Sequence, residues 1–309
     1  MIFHQKNNPE VSGLIIFLLV LLSILSCTKE VEIKIPKEEP KLTVNSFFSP
    51  DSVIKIHLSK SAYIFDKKTT IVNNANIELW DKDTLLEIMQ NEDYGNYFSK
   101  TKAKVLKKYQ LKINHPDFQL VTVEDVIPTK TKIIKTEQKD SVMFSQYNNA
   151  FSQVKITFQD NPNITNYYEV ILAFKYNDSI PFLGEFEGLA GIYSDDPVIK
   201  SEMDIDINGF GETSVVFSDN LFNGEKYTLT LLYSISYGPC IYKNYTLYVY
   251  LNSVSKNYYN YMKKLHQYIQ NSQSLWNNTG EVVRMYSNVN NGYGIFAGYN
   301  TDIDTLYSK

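Results

Sequence analysis

Beyond residue 40, apolar and polar side chains alternate with a period of two over most of the chain. In 52–59, Ile54, Ile56 and Leu58 point one way while Lys55 and His57 point the other. Tyr109, Leu111 and Ile113 alternate with Lys108, Gln110 and Lys112, and the same rhythm recurs at Val154/Ile156/Phe158 and Tyr227/Leu229/Leu231/Tyr233. Alternation of this kind marks half-buried strands. Turn chemistry separates them, as in Ser49-Pro50-Asp51, Asn161-Pro162-Asn163 and Asn223-Gly224. The pattern predicts a mainly β protein built of antiparallel sandwiches, without the rhythm of a parallel α/β sheet. One stretch departs from it. In 255–271, Tyr258, Met262, Leu265 and Ile269 recur at helical spacing, which predicts an amphipathic helix lying on a sheet.

The first 40 residues read differently. Residues 14–25 are almost wholly apolar. As a helix they would rise about 18 Å, too little for a hydrocarbon core of about 30 Å. This is the hydrophobic region of a secretory signal. It ends Ile24-Leu25-Ser26-Cys27, which resembles the lipobox of bacterial lipoproteins. That resemblance implies removal of residues 1–26 and acylation of Cys27, for example with palmitate, at about 0.8 kcal/mol of membrane affinity per buried methylene. The alternatives are a cleaved soluble secretory protein and an uncleaved anchor. Residues 27–40 form a tether, in which Thr28-Lys29-Glu30-Val31-Glu32 resembles the surface-display signal of Bacteroidota lipoproteins. A plain solvated spacer is the other reading. The remainder divides near Pro128 into an N-terminal immunoglobulin-like or transthyretin-like β-sandwich, 41–128, and a C-terminal β domain, 129–309, that carries the helix.

Composition narrows the partners. The chain has 309 residues, 43% hydrophobic, with a formal charge of -4, so whole-chain disorder is excluded. Arg284 is its only arginine, the other basic residues being lysines. Arginine is the residue that reads guanine edges, so nucleic acid is disfavoured on charge and on residue type. The 2 cysteines cannot make a disulfide scaffold. With Cys27 lipidated, Cys240 is left as a packed small hydrophobe.

Several segments in order carry a family resemblance. They are Leu42-Thr43-Val44-Asn45-Ser46-Phe47-Phe48, Ala75-Asn76-Ile77-Glu78-Leu79-Trp80, Val126-Ile127-Pro128, Phe217-Ser218-Asp219-Asn220-Leu221-Phe222-Asn223-Gly224, the helix with Tyr258-Tyr259-Asn260-Tyr261, and the segment 286–299. Behind a lipobox, this set resembles a Bacteroidota outer-membrane lipoprotein family known as domain of unknown function four-two-four-nine. The resemblance implies β-sandwich lipoproteins whose partners are TonB-dependent receptors. It supplies no catalytic or ligand residue.

Known chemistry is sparse. His57, His115 and His266 lack a second ligand at zinc spacing, and no nucleophile elbow occurs. Gly292-Tyr293-Gly294 with Gly298 mimics part of a dinucleotide fingerprint, but no helix follows and strand punctuation is the better reading. No cofactor is expected. Asp204, Asp206, Asn208 and Glu212 fit part of a calcium loop, but Val215 stands where the bidentate glutamate belongs; an alternating strand ending in an Asn-Gly turn is the simpler reading, and no metal is expected. Five Asp-hydroxyl-aliphatic triplets place Ser52, Thr84, Ser141, Ser179 and Thr305 in a pattern resembling the O-glycosylation sequon of exported Bacteroidota proteins, or simply at strand starts. Tyr248 and Tyr250 share one face of a strand, either a contact surface or a face the helix covers.

These readings lead to a non-enzymatic outer-membrane lipoprotein at the cell surface, acting as a binding accessory of a TonB-dependent receptor. The alternatives are a surface glycan or peptide hydrolase and an adhesive structural module. Replacing Cys27 with Ser is expected to release the chain from membranes in a fractionation experiment, and unchanged membrane retention would refute the anchor.

Overall fold

The alternating segments form the expected strands. The computed structural model describes residues 38–63, 70–144, 150–177, 187–203, 205, 211–235, 244–273 and 282–307. The chain divides into Met1–Glu39 and Pro40–Lys309, and every element described here belongs to the second unit. The signal segment, Cys27 and most of the tether lie outside the described residues.

In the first part of the unit come β1 (Leu42–Phe48), β2 (Val53–Lys60), β3 (Thr70–Ile71), β4 (Asn76–Asp81), β5 (Thr84–Ile88) and β6 (Gln90–Glu92). These are followed by β7 (Asn96–Lys102), β8 (Lys108–His115) and β9 (Phe118–Val126). The chain continues through β10 (Ile133–Phe144), β11 (Ala150–Gln159), β12 (Tyr167–Tyr176), β13 (Glu187–Leu189), β14 (Gly191–Tyr193) and the short helix α1 (Pro197–Lys200). It ends with β15 (Ser214–Ser218), β16 (Lys226–Ser234), β17 (Tyr245–Val254), helix α2 (Lys256–Gln273) and β18 (Tyr293–Tyr307). The fold is mainly β, and the helix expected at 255–271 is present as α2. No helix among the described residues is long and apolar enough to cross a membrane.

Three sheets hold these strands. A ten-stranded sheet runs β13-β12-β17-β18-β1-β2-β7-β6, with β15 on β12 and β3 on β2. Two four-stranded sheets, β5-β4-β8-β9 and β10-β11-β16-β14, complete the fold. One hydrophobic core gathers Leu42, Ile56, Leu79, Leu111, Val123 and their neighbours. The other gathers Val154, Phe158, Leu172, Phe217, Leu231 and Leu251. At about 25 cal/mol per Å² of apolar surface removed from water, burial on this scale is the main term favouring the fold.

Strand β18 serves both cores. Its partner β1 lies parallel to it, with Val44 opposite Gly294 and Phe48 opposite Gly298, whereas its pairing with β17 is antiparallel, from Val254↔Tyr299 to Thr246↔Tyr307. Because side chains alternate across a strand, Phe296 enters the first core while Ile295 and Ala297 join the second. The even positions of β18 also carry the chain as it leaves β9 for β10. Asn300 Nδ2 donates to the carbonyl of Pro128 at 3.1 Å, and Asp302 accepts from the Ile133 amide at 2.9 Å. Asp304 accepts from Thr136 Oγ1 at 2.5 Å.

Gly294 permits the parallel pairing. Its φ is +103°, and a Cβ there would meet the carbonyl oxygen of Val44 at 1.9 Å. Gly294→Ala would therefore need both an unfavourable φ and a displaced β1. A loss of about 3 kcal/mol or more is expected in denaturant unfolding. A change within about 0.5 kcal/mol, the range of a neutral surface substitution, would show that the β1–β18 approach is not a constraint on stability.

Candidate functional site

Helix α2 positions the site, and its own placement is set at its first turn. Ser255 caps the helix: its Oγ accepts from the Tyr258 amide at 3.1 Å, and its carbonyl from the Tyr259 amide at 3.0 Å. The Ser255 hydroxyl donates in turn to Asp125 Oδ2 at 2.5 Å. Asp125 is 7% exposed, and it also accepts from the Gly298 amide at 3.0 Å and from Asn257 Nδ2 at 3.2 Å. Burial raises the Asp125 carboxyl above the usual carboxylate range even though these donors pull the other way. Asn257 Oδ1 accepts from Tyr286 OH at 2.7 Å, which fixes the segment facing the helix.

Along its buried side α2 meets carboxylates with tyrosine hydroxyls. Tyr258 OH donates to Glu169 Oε2 at 2.7 Å, and Asn252 Nδ2 donates to the same oxygen at 2.9 Å. Glu202 Oε2 accepts from Tyr259 OH at 2.6 Å and from Lys263 Nζ at 2.5 Å, and its Oε1 accepts from Ser218 Oγ at 2.7 Å. Burial pushes the Glu202 carboxyl up, but these hydrogen bonds and the Lys263 charge outweigh it and hold the group below its ordinary range. Further along, His266 Nε2 lies 3.4 Å from Ser214 Oγ, and its Nδ1 is buried without a partner. With Ser214 4% and His266 5% exposed, this Ser-His pair is sealed from any substrate.

The solvent side of α2 borders a cleft of about 1210 Å³. Lys264, Gln267, Gln270 and Asn271 of the helix form one wall, and 282–287 with Tyr293 form the other. Lys41, at the point where the chain enters the folded unit, completes it. Its ammonium lies 5.3 Å from the Tyr293 ring centroid, a cation–π distance. Lys264 Nζ donates to Gln267 Oε1 at 3.0 Å. Three cations thus line the cleft, and no Asp or Glu is among its described lining residues. The sequence reading missed this site; its one signal was that the sole arginine, Arg284, lies in it.

The residues singled out from the sequence do not converge. Asp204, Asp206, Asn208, Ser179, Cys240 and Cys27 lie outside the described residues. Glu212 is half-buried, and its Oε1 accepts from Gln270 Nε2 at 2.9 Å. Among the described residues, no three His, Cys, Asp or Glu side chains gather where they would hold a metal. Ser52, Thr84 and Ser141 are exposed at separate places, and Thr305 is half-buried within β18. Tyr248 and Tyr250 are half-buried, opposite Thr305 and Ile303 respectively. Ile303, 54% exposed, and Tyr307, 72% exposed, extend that face.

Comparison with known proteins gives a family without an activity. A family model described as domain of unknown function (DUF4249) matches residues 28–304. No curated protein matches. Among solved structures, the chain is similar to a collagen adhesin from S. aureus at 8% identity, covering 85% of this chain and 93% of that one with a TM-score of 0.20. It is also similar to the collagen-binding domain of a surface protein of Erysipelothrix rhusiopathiae at 9% identity, covering 87% and 97% with a TM-score of 0.18. A structure of manganese lipoxygenase of Gaeumannomyces graminis with part of zonadhesin of Komagataella pastoris matches at 8% identity, covering 70% and 89%, with a TM-score of 0.18. At these scores none of the three says anything about ligand or partner.

His266 makes the helix sensitive to pH. Burial lowers its pKa from the ordinary value, against the opposing charges of Glu212 and Glu169. An unfolded histidine takes its proton near pH 6.5, whereas the folded one takes it only at lower pH. In that interval the unfolded state holds more protons, so stability falls as pH falls. Thermal unfolding of His266→Gln is expected to show a shallower loss than the parent chain as pH is lowered through about 6.5 and below. Parallel curves would mean that His266 does not titrate against folding.

Proposed function

The chain belongs to the DUF4249 family, and we propose that it is a binding protein rather than an enzyme, lipid-anchored through Cys27 at the outer membrane and displayed at the cell surface. In this reading it captures a ligand as an accessory of a TonB-dependent receptor. The observation that carries the proposal is the cleft beside α2. Its described lining is rich in cations, amides and tyrosine rings, a chemistry for holding a ligand. A glycan hydrolase needs two carboxyl groups facing one another across the substrate, and the described lining has none. The Ser214–His266 contact described beside the helix is shut away from solvent. The lipobox-like sequence and the charged tether support the location, and the half-exposed face around Tyr248 and Tyr250 is the surface this reading offers to a protein partner.

The receptor association is tested by tagging the chain, solubilising the outer membrane in detergent and identifying what co-purifies. A TonB-dependent receptor is expected in the eluate, reduced when Tyr248 and Tyr250 are both changed to Ala. Its absence across repeated preparations would overturn the accessory role.

A further inference from the structure

The cleft also indicates what kind of ligand it holds, an inference that rests on the binding reading above. Among the described residues, no carboxylate pairs with any of its three cations. Arg284 makes no hydrogen bond or ion pair with any described residue, and Lys41 Nζ faces the Tyr293 ring. Lys264 Nζ is engaged only by the neutral amide of Gln267. In a chain of formal charge -4, this concavity concentrates positive potential, because charges of one sign around a low-dielectric cleft reinforce one another. Arginine adds geometry to charge. Its planar fork binds a carboxylate, sulfate or phosphate through two parallel hydrogen bonds, which a lysine cannot do.

The neutral lining narrows the class further. The amide of Gln267, whose Oε1 accepts from Lys264, keeps its N–H donors for a ligand, a match for the hydroxyl groups of a sugar. The Tyr293 ring offers a flat apolar surface against which the C–H face of a pyranose packs. Drug-sized ligands occupy sites of roughly 300–1,000 Å³, so 1210 Å³ leaves room for more than one sugar ring. We propose that the cleft binds an acidic saccharide, with Arg284 clamping its carboxylate, sulfate or phosphate group, Lys41 and Lys264 supplying the attracting field, and Tyr293 packing against a ring.

Calorimetric titration of the full lipidated chain in detergent tests this with four probes: oligogalacturonate, a chondroitin sulfate oligosaccharide, neutral maltooligosaccharide and glycerol phosphate. An acidic oligosaccharide is expected to bind, more weakly as salt is raised. Arg284→Ala should weaken it by about ten- to a hundredfold, the scale of a charge-assisted hydrogen-bonded pair. Arg284→Lys should recover part of that loss, and Lys55→Ala, remote from the cleft, none of it. The unfolding transition of each variant verifies that it is folded. Equal binding of the neutral saccharide, unaffected by Arg284→Ala, would overturn the acidic class while leaving the binding reading intact. Glycerol phosphate binding as tightly as the oligosaccharides would mean that the cleft reads an isolated anionic headgroup and not a sugar. Binding of none of the four would overturn the proposal, while recovery of the receptor by co-purification would still stand on its own.

Discussion

One buried carboxylate, that of Asp125, holds the architecture in register. It stands at the end of β9 and accepts from the cap of α2, from the backbone of β18 at Gly298 and from Asn257. Each of those donors is buried or half-buried, and an orphaned buried donor costs about 1–3 kcal/mol. The cost of burying Asp125 is visible in its raised pKa, so the group does not owe its place to its own solvation. It is held because three donors, two at the start of α2 and one on β18, need the same acceptor. Through Ser255 it sets where α2 begins, and through Asn257 and Tyr286 it sets the segment across the cleft. The cleft's two walls are thereby referred to a single point on the first four-stranded sheet.

The same shortage of arginine that makes Arg284 distinctive shapes the interior. Buried acids in many proteins are matched by guanidinium groups, but here tyrosine does much of that work. Tyr168 donates to Asp160, Tyr227 to Asp196, Tyr258 to Glu169 and Tyr259 to Glu202, at 2.5–2.7 Å. A phenol satisfies the acceptor and fills space with a ring, yet leaves the negative charge uncancelled. The phenols are held protonated far above their ordinary range, chiefly by burial and also by the carboxylates they serve. Four of the 24 tyrosines are thereby committed to these pairs.

Strands and the long helix were legible because each is written in a local period: two for β8 and β11, 3.6 for α2. The turns were legible from local proline, asparagine and glycine chemistry. The pairing of β1 with β18 was not, since it joins residues about as far apart in the chain as the folded unit allows, and no local pattern encodes register between them. The glycines at 292, 294 and 298 could be read as strand punctuation, but not as the places where Leu42, Val44 and Val126 press against the strand. The cleft escaped notice for a related reason. Lys41, Lys264 and Arg284 come from three distant segments, and the stretch from 282 to 289 has no periodicity. Scarcity of arginine was visible, but only the fold gives the single one a setting. The Asp-hydroxyl-aliphatic triplets that begin at 51, 83, 140 and 304 show the converse, a repeated local pattern that the fold scatters.

The position of β1 has a mechanical meaning. Any pull on the N-terminal segment enters the folded unit at Lys41 and runs along β1, which is flanked by β18 on one side and β2 on the other. Load applied along a strand's axis stresses its cross-strand hydrogen bonds together, in shear, instead of peeling them one after another from a free edge. A protein held by that end while gripping something large would thus meet tension at a strand paired on both sides. Lys41, the last residue before β1, is also a wall of the cleft, so the same tension would reach whatever the cleft holds.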